Sequence, residues 1–328
     1  TMKQPNSLLS LNYNGVLSDK FFVEAQYSRR LFTFKDYGAT TNDLILGTPI
    51  YDLAEGKTWN SPEFCGSGCP DSDEKRDNED ILIKGTYFLS TKDLGSHNVV
   101  FGFDDFAGSR WFNDYYSGSQ FFINSTETIY ENGTLYPVFD STSYLGYYPI
   151  LHPPVARDTR TSSARANAAS RHKSNHAFNI GLRWDKNDAK DSSGYTRAND
   201  QAWSPRLAVL FDPKGDGNLR FSASYARYVG AIQEGEVGDA GQGGASYLFQ
   251  YYYTGPDINT DPDKPLVSTH DAMRAFFNWF GVTGPNQFPP GLAWDYSSAP
   301  GVSTQIRKSL KSAYSDEFVA GVNGNIGN

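Results

Sequence analysis

The stretch FFVEAQYSRR (residues 21–30) decides how the rest of the chain is read. Phe21, Val23, Ala25 and Tyr27 hold its odd positions, while Glu24, Gln26, Ser28 and Arg30 hold the even ones. A period of two puts the apolar set on one face of a pleated strand and the polar set on the other. The same alternation recurs outward in both directions. It is found at Leu9, Leu11 and Tyr13, at Ile81, Ile83, Tyr87 and Leu89, and at Val99, Phe101 and Phe103. It returns at Phe178, Ile180, Leu182 and Trp184, and again at Leu207, Val209 and Phe211. Leu219, Phe221, Ala223 and Tyr225 form a further set, and Phe318, Ala320 and Val322 the last. These segments predict an all-β chain of two-faced strands.

Connection lengths narrow the class. Turn-like joints span residues 14–20, 90–97 and 212–218, the last reading DPKGDGN, whereas long connections cover about 34–78, 112–160 and 230–311. Up-and-down alternation between the strands at Val99 and Phe178 requires one more strand. SSARANAAS (residues 162–170) is the candidate, with Ala164, Ala166 and Ala168 as its weakly apolar side and residues 171–175 as its turn. The count is then nine, with residues 185–203 as a medium outer loop. A compact soluble domain rarely tolerates several loops this long. A transmembrane antiparallel β-barrel has short turns at one rim and long extracellular loops at the other. Residues 1–328 are therefore expected to be barrel throughout. Bacterial barrels close on an even number of strands, so nine are expected to be part of a larger one. Thr1 opens inside a patterned segment, which also predicts a chain cut from a longer one.

Composition agrees. The 328 residues are 15% aromatic and carry 29 Lys and Arg against 37 Asp and Glu, a net charge of −8. No stretch approaches the ~18 consecutive apolar residues of a membrane helix. A mean hydropathy of −0.54 is compatible with barrel strands that alternate and carry polar loops. The acidic balance and lack of a basic cluster argue against a nucleic-acid partner.

Few residues promise chemistry. Cys65 and Cys69, in CGSGC, are expected to form a disulfide in an exposed loop, since no second metal-ligand pair follows for zinc. Asp185, Asn187 and Asp191 suggest half of a calcium loop, but lack the glycine and terminal glutamate of an EF-hand. A second acidic run, Asp71, Asp73, Glu74, Asp77, Glu79 and Asp80, is another candidate for structural calcium; solvated loop charge is the default for both. The glycines at 241, 243 and 244 lack the helix and lysine of a phosphate cradle. Of the histidines, 172 and 176 are close, in or beside a turn. No nucleophile elbow, zinc-protease or P-loop motif is present, so no enzyme is predicted and no cofactor is expected. Residues 268–281 predict a helix started by Ser268 and Asp271 and ended at Gly281, with Ala272, Met273, Phe276, Phe277 and Phe280 on one face. It is either a lid above a pore or a helix packing the outer loops together. The aromatic runs 144–148 and 249–253 are either a ligand platform or an interfacial girdle.

NHAFNIGLRWDKN (residues 175–187), followed by WSPRLAVLFDPKGDGNLRFSASYARYV (residues 203–229), resembles the barrel of TonB-dependent outer-membrane receptors, and more narrowly its Oar-like branch. AYSDEFVAGV (residues 313–322) is similar to a further strand of that family. The specific match covers about a quarter of the chain, and it has ARANAAS where the family has an aromatic-rich strand. The resemblance implies a barrel of about 22 strands in the outer membrane of a Gram-negative bacterium. It also implies an N-terminal plug, energised by TonB–ExbB–ExbD, that gates import of an extracellular ligand. Plug and TonB box are not in this sequence. Gly181, Arg183, Trp184 and Asp185 would be scaffold, Pro205 and Arg206 would open the next strand, and Asp212, Gly215 and Gly217 would form a periplasmic turn. Ligand contacts are expected from Tyr247, Phe249, Tyr251, Tyr252 and Tyr253, and from Phe276, Phe277, Trp279 and Phe280. A surface adhesin or structural barrel that binds a partner protein without transport is the alternative. A passive porin would need a complete even-stranded barrel within these residues, and a secreted β-enzyme would need a catalytic constellation.

Overall fold

Nine strands that alternate in sequence pair in one antiparallel sheet. The computed structural model describes residues 2–65, 68–69, 73–92, 95–112, 115–149, 155–172, 175–191, 194–233, 236–237, 247–299 and 308–324. The expectations for Asp71 and the glycines at 241, 243 and 244 fall outside these. The large sheet contains β1 (Asn6–Ser18), β2 (Phe21–Phe34), β5 (Glu74–Thr91), β6 (Gly95–Phe112), β11 (Val155–His172), β12 (His176–Lys190), β13 (Thr196–Phe211), β14 (Leu219–Val229) and β17 (Tyr314–Gly324), in that spatial order. Each strand lies beside its neighbour along the chain, apart from strands that belong to the long connections. Among the described residues β1 and β17 are edges, so the sheet is open. No described helix is long and apolar enough to cross a membrane.

Register fixes the two faces. Ala25, Ile83, Phe103, Ala164, Trp184 and Trp203 are successive cross-strand partners, and Glu24, Lys84, Gly102, Arg165, Arg183 and Ser204 form the adjacent row on the other face. The apolar face is not covered by protein: Ile180 is 57% and Phe318 77% exposed. A soluble monomer exposes contiguous apolar patches of only a few hundred Å². β11 is a strand as expected, and its small outer residues have a packing reason. Ala164 lies between Phe103 and Trp184, and Ala166 between Phe101 and Leu182, so bulky side chains on both neighbours flank the alanine row.

The strands run on beyond the apolar band. β5, β6 and β11 have 18 residues each, roughly 60 Å at ~3.3 Å per residue, whereas a bilayer-spanning band is ~25 Å tall. Past Phe103 the outer face becomes charged, with Arg29, Glu79, Arg160 and Asp188 in one row. This corrects the outer loop expected at residues 185–203. The β12–β13 ladder continues through Asp188↔Asn199 and Ala189↔Ala198, because charges on a strand face leave the backbone ladder intact. Pro205 and Arg206 are accordingly mid-strand and do not open β13. Pro205 pairs with Leu182, and the β13–β14 ladder begins only at Arg206, as a proline lacking its N–H requires on that side. Beyond Pro205, residues 309–312 take β14's place: Leu310 donates to Arg197 O, and the Asp200 carboxylate accepts from Lys311 Nζ at 2.9 Å.

Short turns gather at one end. In the β13–β14 turn the Asp212 carboxylate accepts from Gly215 N at 2.7 Å and Gly217 N at 2.8 Å. Both glycines have positive φ, +69° and +80°, which side chains rarely adopt. The long connections all leave from the opposite end.

Candidate ligand-binding site

Three long connections are woven into a second sheet. It contains β3 (Ile50–Asp52), β4 (Lys57–Trp59), β7 (Phe121–Ser125), β10 (Tyr144–Tyr147), β15 (Leu248–Tyr252) and β16 (Tyr296–Ser298), in the spatial order β16-β15-β10-β7-β3-β4. A hairpin of β8 (Glu127–Glu131) and β9 (Thr134–Val138) stands beside it. β3 joins β7 in parallel, tying the first connection to the second, and β15 joins β10, tying the third to the second.

One face of this sheet is a dry core. Ile50, Ile123, Leu145 and Tyr251 lie side by side in register, with Phe121 and Tyr147 beneath them. Helix α1 (Thr269–Trp279) covers them. Ser268 caps it by accepting from Asp271 N at 3.2 Å, Gly281 at φ +67° follows its end, and Ala272, Met273, Phe276 and Phe277 are buried. This is the expected helix on its expected face. Phe276 stacks on Tyr253 at 4.7 Å between ring centroids, and Phe277 meets Phe121 edge-on at 5.5 Å.

Five residues expected to contact ligand are therefore core. Tyr251, Tyr253, Phe276, Phe277 and Phe280 are each at most 2% exposed. Phe249 and Trp279 close the core's margin, Phe249 against Phe288 and Trp294, Trp279 against Tyr253. Tyr247 is half-buried just ahead of β15, and Tyr252 points away from the core. The runs 144–148 and 249–253 form no girdle on the large sheet; they are partners in this one.

The opposite face is the candidate site. Tyr51, Asn124, Tyr144 and Tyr252 form one cross-strand row, and Phe122, Gly146, Gln250 and Tyr296 the next. Gly146 is needed here because a Cβ would stand 1.9 Å from the Phe122 ring. With that space free, Phe122 meets Tyr51 at 5.4 Å and Tyr144 at 6.0 Å, both edge-on. Tyr116 and Tyr148 stack at 3.8 Å beside them. The Tyr51 hydroxyl donates to Glu63 Oε1 at 2.5 Å and lies 2.9 Å from the Tyr116 hydroxyl. Burial, then the bond to Glu63, pushes the Tyr51 phenol up, so it stays protonated. Burial also raises Tyr144. The result is a wall of tyrosine rings packed on a buried Phe122 and Asn124, edged with neutral hydroxyls, the Gln250 amide and the Glu63 carboxylate. It can stack planar or apolar ligand surface and hydrogen-bond at its rim. Alternation within 144–148 and 249–253 was the available signal for Tyr144 and Tyr252. Tyr51, Tyr116 and Phe122 come from short segments with no period of their own.

The remaining sequence candidates are structural. Cys65 and Cys69 are joined at S–S 2.07 Å, but the bridge is buried against Ala39 and Tyr115, not in an exposed loop. Asp185 and Asn187 lie in β12 on the polar face. Asp185 pairs with Arg183 at 2.7 Å, Asn187 accepts from Thr161 at 2.7 Å, and Asp191 takes Arg197 at 2.6 Å. Among the described residues no group of three or more His, Cys, Asp or Glu side chains could hold a metal ion. His172 and His176 are partners in the β11–β12 register.

Neither a protein-family model nor a curated protein matches the chain. Among solved structures, the outer membrane transporter YddB from Escherichia coli is similar at a TM-score of 0.49 and 12% identity, over all of this chain and 33% of that one. The siderophore receptor PiuA from Acinetobacter baumannii is similar at 0.40 and 15% identity, over 76% of this chain and 37% of that one. The chain thus spans about a third of the length of these structures.

Proposed function

We propose that this chain is part of an outer-membrane β-barrel receptor of the TonB-dependent kind, whose loop sheet captures an extracellular ligand for import. The observation that carries this reading is the sidedness of the nine-stranded sheet. Most of its large apolar residues face outward, uncovered by protein, while charged, amide and small residues make up most of the other face, where Leu82, Phe88, Val100 and Leu210 are among the larger apolar exceptions. In water that arrangement would leave a large apolar surface wet. In a bilayer it puts the apolar band against lipid and the polar face toward a lumen. The gathering of short turns at one end and folded loops at the other fits a barrel with a periplasmic and an extracellular rim. Lipid of the outer membrane is the first partner, and coupling to TonB–ExbB–ExbD through a plug is the energy source.

The test has two stages. A bimane label at Leu182→Cys in outer-membrane vesicles should be quenched by brominated lipid, and the same label at Asn179→Cys should not. Equal quenching at both would remove the lipid-facing assignment. Cross-linking of the natural protein to TonB in intact cells then separates import from adhesion. A specific adduct supports coupled transport, whereas an outer-membrane protein that gives none would be an adhesin.

A further inference from the structure

We infer that the polar face of the large sheet carries a binding groove for a small anionic molecule, one presenting carboxylate or phosphate groups. The inference deepens the receptor reading by naming a ligand class, and rests on it only for the route by which the ligand arrives. A groove of about 550 Å³ lies across β6, β11, β12, β13 and β14, centred on Gly181. Gly181 stands in register between Asn167 on β11 and Arg206 on β13. A Cβ there would come 2.7 Å from Asn167 Oδ1, so the glycine leaves the floor of the groove open between the side chains around it.

Three guanidiniums and an ammonium surround that floor: Arg165, Arg183, Arg206 and Lys84. Arg165 and Arg183 are direct cross-strand partners, an arrangement of like charges that weakens a sheet. Only part of this charge is answered. Lys84 is paired with Glu24, and Arg183 with Asp185 at 2.7 Å. Arg206 rests over the Tyr228 ring at 5.1 Å and has no carboxylate partner among the described residues; Arg165 has none either. Glu317 lines the far margin, two strands from Arg206 in register and bound to neither free arginine. Two unneutralised guanidiniums, on the strands either side of Gly181 and each able to fork onto an oxyanion, suit a molecule that carries more than one carboxylate or phosphate group. The amides of Asn167 and Asn179 supply neutral donors beside them. On the opposite face Arg160 is held by Asp105 and Lys186 by Asp188, and Arg29 has Glu79 as its direct cross-strand partner.

The experiment is equilibrium dialysis of the full chain in detergent micelles against citrate and, separately, pyrophosphate at millimolar concentration. Saturable binding that weakens with salt is expected, and preference for one probe tells carboxylate from phosphate. Arg165→Gln and Arg206→Gln should each weaken it by roughly tenfold or more, the loss expected for a charge-assisted bond. Arg29→Gln and Lys190→Gln, on the outer face, should leave it unchanged. Gly181→Val should block binding without altering charge. Arg165→Lys with Arg206→Lys should restore part of the affinity, which guards against variants that merely misfold. No binding of either probe, equal affinity in the Gln variants, or an equal loss in the outer-face variants would overturn the site. None of these bears on lipid quenching at Leu182, so groove and barrel fail separately.

Discussion

The large sheet and the loop sheet use the same residue types and arrange them in opposite ways. In the large sheet Ile180, Leu182 and Phe318 face outward and are open. In the loop sheet Phe121, Ile123 and Tyr147 face inward and are sealed by a helix. A sheet in water must cover one face, and the loop sheet does so with α1. A sheet in lipid needs no cover, because hydrocarbon serves as the other half of its core. On the receptor reading proposed above, one chain holds two folding problems with two solvents.

The sharpest way to break this comparison is to empty the sealed core. Phe276→Ala should cost about 3–5 kcal/mol, confined to the loop sheet. Proteolysis should then nick residues 230–299 while the large sheet keeps its strand signal in circular dichroism. Loss of both together would mean that the two regions fold as one. Next comes polarity at the open face. Ile180→Arg should destabilise the protein in lipid vesicles by roughly 2–4 kcal/mol, and Asn179→Arg, one residue away on the other face, by very little. Urea titration of vesicle-inserted protein reads the difference, and similar penalties would erase the sidedness. Replacing Cys65 and Cys69 by Ser releases a short loop, worth about 2 kcal/mol. The melt of the loop sheet should move and that of the large sheet should not.

The smallest effect expected is a titration. Burial pushes the Asp140 carboxyl up, but hydrogen bonds from Thr126, Thr142 and Ser143 outweigh it and leave the group below its ordinary value. A depressed carboxylate stabilises the fold above its unfolded pKa of about 3.9, and that contribution is lost as pH falls through the folded value. The loop sheet should therefore loosen in acid below about pH 4. Asp140→Asn should flatten this dependence, followed as tyrosine fluorescence against pH.

The large sheet was legible because each strand alternates for several residue pairs, long enough for a period of two to stand out. β11 was legible only through its neighbours, since Ala164, Ala166 and Ala168 carry little hydropathy of their own. Residues 185–203 were misread because charge on both faces looks like a loop, while backbone pairing is indifferent to it. The loop sheet was hidden for two reasons. Its strands have three to five residues, too few for a period, and their partners come from other loops. Tyr251 and Tyr252 show the consequence for the site. Adjacent tyrosines look alike in sequence, yet one is core and the other is on the aromatic wall. Gly181, Arg183 and Arg206 were noticed as scaffold; only register revealed that they surround one space.

The weaving of three connections into one sheet also constrains biogenesis. Ile50 finds its partner Ile123, and Tyr144 finds Tyr252, only after the strands between them have been laid down. Pairings so distant along the chain close slowly. None of the three loops can complete its part alone, so each must wait, unfinished and open to proteases, until the last has arrived. Contact order thus predicts that the loop sheet is the last part of this molecule to close.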